Sequence, residues 1–458
     1  MFTSRHYPWC HEVASGHRTN SLSKYLARWG WRPIIITQLE PDTTGTIPMP
    51  LDHIEKYLVS LRQDEVGVIP VAAGPSTGRF LLALSRQMHE RAADGGLSGR
   101  MWESMGSVLT YLASLGGDSY PMGGGWIPKA VEAGLCVVKT IGVDAALCTS
   151  GLDPVYAAYR LGRKTGIPWI LDLTDPWEMF YGTVARYLYL PPLYRRVVPS
   201  AACLSQCTPG WARELSRKVS RSVACLISGF DSDWVDRVEA RRFDEFTVLY
   251  IGSAEVGNRD PQAFFAGLAL LKRTKPEVGS KVKVVYVGSN CDFFQRRASE
   301  QGVVELLHCV GRVKLGEVMS YVKGAHLLLV ALNSGLDFNR GRLTAKVGEY
   351  LGTDRPILLT QSLSKEGDTD LARLVRETGV GWVAEDAETV AKVLKGVLEQ
   401  YWSTGTTMRP AEGRYPVGDF TWHGQSHKLA LLLDQIASCK RDPIVEDICA
   451  AYPWAAQG

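Results

Sequence analysis

The stretch GRLTAKVGEYLGTDRPILLT, residues 341–360, decides the fold, because its pattern indicates a loop, a helix and a buried strand in succession. Arg342 and Lys346 are four residues apart, and Glu349 follows three residues later, so these side chains share one helix face or the loop that leads to it. A Gly and a Pro end the helix. The apolar run ILL that follows is typical of a strand that a parallel sheet buries on both faces.

The charges of this stretch suit a nucleotide-sugar. Cations at a helix start can hold a phosphate, and a carboxylate nearby can accept hydrogen bonds from sugar hydroxyls. An exposed amphipathic helix with solvated charges explains the same spacing, because such spacing is common on helices. The stretch alone leaves both interpretations open.

Composition excludes several classes of protein. A chain of 458 residues indicates two or three domains. Its net charge of +3 argues against a general nucleic-acid binder, so we expect no nucleic-acid partner. The ten cysteines form no CxxC pair, which argues against a zinc site and favours free thiols in a reducing compartment.

The sequence also constrains location. The first residues, MFTSRHYPWCHEVASG, lack the apolar core of a secretory signal, and no apolar run approaches the roughly 20 residues of a membrane-spanning helix. We therefore expect a cytoplasmic protein that is soluble or bound at the inner face of the membrane.

The N-terminal half offers two candidate sites. Gly16 lies in a small polar segment, residues 15–20, which we interpret as a turn opening onto a helix, where a glycine lets a ligand approach closely. An ordinary loop explains this glycine equally well. Asp172 and Asp175 lie at the carboxyl end of a predicted strand at 168–172, which is the end where open α/β sheets bind ligands. Asp175 precedes a proline and either serves function or caps a turn, and its position at a strand end favours function.

Residues 178–221 mix tyrosines with arginines and contain few acids. This composition fits a surface that faces anionic lipid or an anionic acceptor. A helix whose long side chains cover the core explains it as well.

A second series of strands and helices starts near residue 246, after a break near residue 229. Arg259 lies just before a helix that begins at Pro261, where it can bind a phosphate. Two such series predict an α/β protein with two Rossmann-like domains, at residues 1–228 and 229–418. A last helix within 419–438 is expected to pack back on the first domain, and residues 439–458 form a tail without assignment.

The order of these pieces resembles the retaining family 4 glycosyltransferases, which have the GT-B fold, two Rossmann-like domains facing each other across a cleft. The resemblance covers roughly residues 5–436. It is carried by Gly16 before a helix, GWIP at 125–128, IPWILDLTDPW at 167–177, GFD at 229–231, YIGS at 250–253 and the stretch from Lys346 to Ile357.

The resemblance implies that the N-terminal domain binds the acceptor and that the C-terminal domain binds the donor. Arg259, Arg342 and Lys346, with Gly16, would contact the donor. Glu349 matches the second glutamate of the family's E-x7-E motif, which holds the ribose. The first glutamate falls at Gly341 and is absent. Asp175 falls where many relatives keep a histidine near the transferred sugar, and is the candidate catalytic residue.

The expected function is glycosyl transfer with retention, from a UDP- or GDP-sugar to a glycan, lipid-linked or other small acceptor in polysaccharide or glycoconjugate biosynthesis. Cations can stabilise the departing diphosphate without a metal, so we expect no metal and no other cofactor. The missing glutamate keeps open an inactive relative that binds nucleotide-sugar. A sugar-nucleotide epimerase of the same fold is the third alternative, although the sequence lacks a positioned acid and base for it.

Overall fold

The computed structural model describes residues 1–4, 14–38, 48–62, 64–72, 79–92, 96–115, 125–149, 151–179, 190–255, 258–332, 341–361, 369–410 and 417–438. The chain forms two compact units. The first comprises Met1–Cys207, Ala212–Leu226 and Ser426–Glu446, and the second comprises Thr208–Trp211, Ile227–Gln425 and Asp447–Gly458.

The first unit is built on a parallel sheet of seven strands in the order β3-β2-β1-β4-β5-β6-β7. The strands are β1 (Phe2–Ser4), β2 (Ile34–Gln38), β3 (Gly67–Val71), β4 (Ala146–Thr149), β5 (Trp169–Leu173), β6 (Cys203–Gln206) and β7 (Ala224–Cys225). Every residue of β2, β4 and β5 is buried, as expected for strands covered on both faces. The strand order reverses between β1 and β4, so ligand chemistry is expected at the carboxyl ends of these strands.

The described helices up to residue 219 are Ala14–Leu26, Leu51–Ser60, Arg79–Ala92, Gly96–Leu115, Trp126–Ile141, Leu152–Thr165 and Pro209–Val219. Short helical turns lie at Ala27–Trp29, Trp177–Met179, Leu193–Val197 and Val198–Ser200. The turn predicted at residues 15–20 is wrong, because these residues lie in the helix Ala14–Leu26. Buried hydrogen bonds of Arg18 and Thr19 to the sheet override the weak helix preference of this polar segment.

The second unit is built on a parallel sheet of six strands in the order β10-β9-β8-β11-β12-β13. The strands are β8 (Thr247–Ile251), β9 (Lys283–Val287), β10 (Leu307–Gly311), β11 (Leu327–Ala331), β12 (Ile357–Thr360) and β13 (Gly381–Ala384). Its order reverses between β8 and β11. A core rich in aromatic rings, among them Tyr250, Tyr286 and Phe294, packs against this sheet.

Beyond residue 219 the described helices are Ser232–Arg237, Gln262–Thr274, Pro276–Gly279, Cys291–Glu300, Leu315–Gly324, Ala345–Leu351, Asp370–Glu377, Ala387–Thr404 and Trp422–Ala437, with short turns at Val304–Leu306 and Val417–Phe420. Within the first unit, the hydroxyl of Ser426 donates to the carbonyl of Leu22, and the indole of Trp31 donates to Asp434. The C-terminal helix therefore completes the packing of the first unit. Among the described residues, no helix is long and apolar enough to cross a bilayer.

Candidate functional site

The candidate site of the second unit lies where its strand order reverses. A turn follows β8 and leads through Arg259 to the helix Gln262–Thr274. The helix Ala345–Leu351 lies in the chain between β11 and β12. Both segments start at carboxyl ends of neighbouring parallel strands, which is where sheets of this kind bind ligands.

Lys346 presents an unpaired cation at this edge. Its Nζ is buried and has no hydrogen-bond partner within the described part of the chain. It lies 3.7 Å from the centroid of the Tyr250 ring, a distance that fits a cation–π contact. Burial lowers the pKa of Lys346 well below its ordinary value, the charge of Arg259 lowers it further, and Glu349 opposes the change. An anion bound here would supply the missing partner.

A network of polar side chains holds the two arginines. Arg259 Nη2 donates to Glu255 Oε1 at 2.9 Å, and Asn258 Nδ2 donates to the same oxygen at 2.5 Å. Arg342 Nη1 donates to Asn258 Oδ1 at 3.0 Å. Burial opposes ionisation of Glu255, but the bonds from Arg259 and Asn258 lower the pKa of its carboxyl below the usual value. The carboxylate of Glu255 therefore binds Arg259 directly, and Asn258 links that carboxylate to Arg342.

Glu349 follows Lys346 by one helical turn, as the sequence predicts. Burial raises the pKa of its carboxyl to about 7, and the positive charge of Lys346 offsets part of that effect. Its side chain is half-buried as a whole, so the carboxyl is sheltered by the site but still within reach of a ligand. The acid is poised to accept hydrogen bonds once a ligand supplies donors.

Two tyrosines fix the turn after β8. The hydroxyl of Tyr250 donates to the carbonyl of Ser253 at 3.0 Å, and the hydroxyl of Tyr286 donates to the carbonyl of Gly252 at 3.0 Å. Gly252 has a φ of 90°, which favours glycine, and a Cβ there would lie 3.6 Å from Lys346 Nζ. The glycine therefore keeps the space beside Lys346 open.

Gly341, where the resemblance places the absent glutamate, has no room for a side chain. A Cβ built there would lie 2.6 Å from Trp211 Cδ1 and 2.9 Å from Trp211 Nε1. Trp211 is 3% exposed, so its ring is packed in place. The packing of Trp211 in the second unit therefore excludes a glutamate side chain at residue 341.

The first unit contains a buried ion pair between Arg18 and Asp172, so Asp172, which the sequence places with Asp175 at a ligand-binding strand end, is taken up by an internal partner. Arg18 Nε donates to Asp172 Oδ2 at 2.8 Å, and its Nη2 donates to Asp172 Oδ1 at 3.0 Å. Ser205 Oγ donates to the same carboxylate, and Arg18 also donates to the carbonyl of Leu226. Burial lowers the pKa of Arg18, but the charge and the hydrogen bonds of Asp172 outweigh burial, and the pKa is raised above its ordinary value. The available signal was an aspartate within the apolar strand 169–173, but its partner Arg18 lies 154 residues away in sequence.

Asp175 lies in the bend after β5 and before the turn Trp177–Met179. It is half-buried, and Thr174 Oγ1 donates to its Oδ2 at 3.3 Å. Gly16 lies in the third position of the helix Ala14–Leu26. The structure thus brings Arg259, Arg342, Lys346 and Glu349 together in the second unit and places Gly16 and Asp175 in the first.

The basic and aromatic segment 178–221 is partly accounted for. Residues 180–189 lie outside the described residues. Tyr194 donates to Glu178, which also pairs with Lys218, and Arg221 donates to three backbone carbonyls. These side chains serve internal packing, whereas Arg195 and Arg196 are exposed.

Among the described residues, no group of three His, Cys, Asp or Glu side chains could hold a metal ion.

Solved structures with the same architecture exist. The N-terminal domain of a trehalose-6-phosphate phosphatase from Candida albicans matches with a TM-score of 0.58 and 14% identity, over 95% of this chain and 96% of that chain. An α,α-trehalose-phosphate synthase (UDP-forming) from Burkholderia vietnamiensis matches with a TM-score of 0.56 and 12% identity, over 96% and 98%. The E. coli trehalose-6-phosphate structure bound with UDP-2-fluoro glucose matches with a TM-score of 0.52 and 8% identity, over 96% and 97%.

A scan against protein-family models and a search of curated proteins find no match. Identities of this size show the fold alone. The predicted fold class is confirmed, because two parallel α/β domains of seven and six strands match these structures over nearly their whole length. The chain has the GT-B fold.

Proposed function

We propose that this chain is a glycosyltransferase that transfers a sugar from a nucleotide-sugar to an acceptor with retention. The unpaired, buried amino group of Lys346 carries the proposal, because a buried polar group without a partner is costly and a bound anion would supply that partner. The structural neighbours include a UDP-forming synthase and a structure bound with a UDP-sugar analogue, which supports the same class of donor.

The cations would act on the leaving group. Departure of a nucleoside diphosphate builds negative charge on its phosphate oxygens. Lys346, Arg259 and Arg342 would stabilise that charge, with no metal required for this step. Glu349 would accept hydrogen bonds from the ribose hydroxyls. Asp175 would orient a sugar hydroxyl or stabilise positive charge at the anomeric carbon, and Gly16 would allow close approach of the helix Ala14–Leu26 to a ligand.

Details of the reaction extend the resemblance. The donor is expected to carry UDP or GDP, and the acceptor to be a glycan, a lipid-linked molecule or another small molecule in polysaccharide or glycoconjugate synthesis. Membership of family 4 is part of the same proposal. A peripheral membrane contact through Arg195 and Arg196 would fit a lipid-linked acceptor.

The alternative is a relative that binds nucleotide-sugar without turning it over. The packing of Trp211 against Gly341 favours this inactive alternative, because it leaves no room at residue 341 for the glutamate that contacts the sugar in the resembled family. An epimerase would need a positioned acid and base, and we have assigned no such pair.

A panel of UDP- and GDP-sugars tests the proposal. We expect transfer or slow hydrolysis of one donor, with the anomeric configuration kept, and loss of that activity in Lys346→Met. Lys392→Met, at an exposed position of the same unit, is the matched control and should keep full activity. Binding without turnover would establish the inactive alternative, and epimerised donor without acceptor would establish the epimerase. A wild-type protein that neither binds nor turns over any donor would refute the proposal.

A further inference from the structure

The position of Arg259 depends on a turn that must be held in place. Within this turn the amide of Arg259 donates to the carbonyl of Glu255, and the amide of Glu255 donates to the carbonyl of Arg259. These bonds close the turn on itself, while Tyr286 and Arg342 attach it at Gly252 and Asn258. The attachment next to Arg259 comes from the following residue, Asp260.

Asp260 is bound by an arginine from a different helix. Arg297, on the helix Cys291–Glu300, donates from Nε to Asp260 Oδ1 at 3.0 Å and from Nη2 to Oδ2 at 2.6 Å. Asp260 Oδ1 also accepts the amide of Gln262 at 3.1 Å, at the start of the helix that follows. This two-point geometry fixes both the distance and the orientation of the carboxylate.

Burial makes this pair stronger than an ordinary surface pair. The side chains of Asp260 and Arg297 are only 4% and 16% exposed, so water and salt screen them little. Arg297 is further held by Glu300, to which its Nη1 donates at 2.8 Å. Asp260, the residue after Arg259, is therefore fixed to the helix Cys291–Glu300. This helix contributes no residue to the candidate site.

We propose that Arg297 is a positioning residue of the donor site, which holds Arg259 in place through Asp260. The inference rests on the proposed function, because it assumes that Arg259 binds the donor diphosphate. The proposal assigns Arg297 itself no contact with the donor. Its effect on binding must then pass through Arg259, and this dependence separates positioning from a general effect on stability.

A double-mutant cycle measures that dependence, with UDP and GDP as probes and calorimetry on folded protein as the readout. We expect Arg297→Met to weaken nucleotide binding about tenfold, equal to about 1.4 kcal/mol. In an Arg259→Met background the same substitution should cause no further loss. Arg296→Met is the matched control, because Arg296 is the exposed neighbour on the same helix, and it should leave affinity unchanged.

The possible outcomes separate this inference from the proposed function. Equal losses in the presence and absence of Arg259 would overturn positioning, as would unchanged affinity in Arg297→Met while Arg259→Met binds weakly. In both cases the proposed function stands. A wild-type protein that binds neither UDP nor GDP would overturn both. Should Arg297→Met fail to fold, Asp260→Asn, which removes the other half of the pair, enters the same cycle and decides the matter.

Discussion

Replacement of Glu349 by Gln should stabilise the protein and weaken nucleotide binding, and these opposite effects identify a site residue. Burial raises the pKa of the Glu349 carboxyl from 4.5 to about 7. A carboxyl whose pKa is raised in the folded protein contributes stability that is fully present below pH 4.5 and is lost as the pH rises through 7. Gln has the same shape and no proton to lose.

The magnitude follows from the two pKa values. At about 1.4 kcal/mol per pKa unit, the contribution of Glu349 should fall by up to about 2.5 kcal/mol between pH 5 and pH 8. The residue is half-buried rather than enclosed, so solvent screening reduces this to roughly half. We therefore expect Glu349→Gln to exceed the wild type in stability by roughly 1 kcal/mol at pH 8 and by much less at pH 5.

Hydrogen exchange of strands β8 and β12 in urea is the suitable assay, because it reports the free energy of opening in the second unit separately from the first. Other groups that titrate between pH 5 and pH 8 contribute equally to the wild type and the variant, so their contribution drops out of the difference in stability. Glu399→Gln, an exposed substitution in the same unit, is the control and should leave the pH dependence unchanged. A wild type and a Glu349→Gln variant with the same pH dependence would refute the burial argument.

The binding half of the prediction uses calorimetry with UDP and GDP at pH 8. Loss of charge-assisted bonds to two ribose hydroxyls should cost at most about 1.5–3 kcal/mol each in Glu349→Ala, and less in Glu349→Gln. A variant with the expected gain in stability but wild-type affinity would show that Glu349 is a buried acid without a role at the ribose.

Further predictions concern protonation, electrostatics and the membrane. Burial lowers the pKa of Lys346, so binding of the anionic nucleotide should raise that pKa and take up protons, seen as a dependence of the calorimetric enthalpy on the buffer, and Lys346→Arg should reduce this uptake. Equal uptake by both proteins would contradict this. Burial, with a smaller contribution from Arg355, lowers the pKa of His326 to about 4, so stability should fall by up to about 1.4 kcal/mol per pH unit as the pH drops from 6.5 towards 4. His326→Gln should make the dependence of stability on pH less steep, and an unchanged dependence would show that His326 is not its source. Asp175→Asn should lower turnover by roughly 100-fold with donor affinity nearly kept, whereas a wild-type rate would make Asp175 a turn cap. The wild type should sediment with anionic vesicles at low salt and lose binding when Arg195 and Arg196 are both replaced by Ser, and absence of wild-type binding would refute the membrane contact.

Much of the sheet could be predicted from sequence because its strands are apolar on both faces. The run at Ile357–Thr360 reads as a buried strand without reference to any other part of the chain. The spacing of Lys346 and Glu349 also translates directly into a shared helix surface. Strand β1, with three residues at the start of the chain, is too short for such a pattern, although it pairs with a strand on each side within its sheet.

The rest of the site could not be predicted because it depends on pairs distant in sequence. Nothing local indicates that Asp260 binds Arg297, or that the polar segment at 15–20 is helical because Arg18 reaches Asp172. The tyrosine ring beneath Lys346 belongs to a strand whose residues look purely structural. Contacts of this kind arise from the fold, and sequence spacing carries no signal for them.

The packing of Trp211 against Gly341 bears on how this chain could change over time or in the laboratory. A glutamate at residue 341 would force the ring from its place, so that single substitution should unfold the neighbourhood before it could add any chemistry. The reverse order, a smaller residue at 211 first, would open a cavity in a tightly packed region. Each single substitution should destabilise the protein, whereas a combined substitution at 211 and 341 avoids both the clash and the cavity. The effects of the two substitutions therefore depend on each other. An engineer who wishes to install an acid here must change both residues at once.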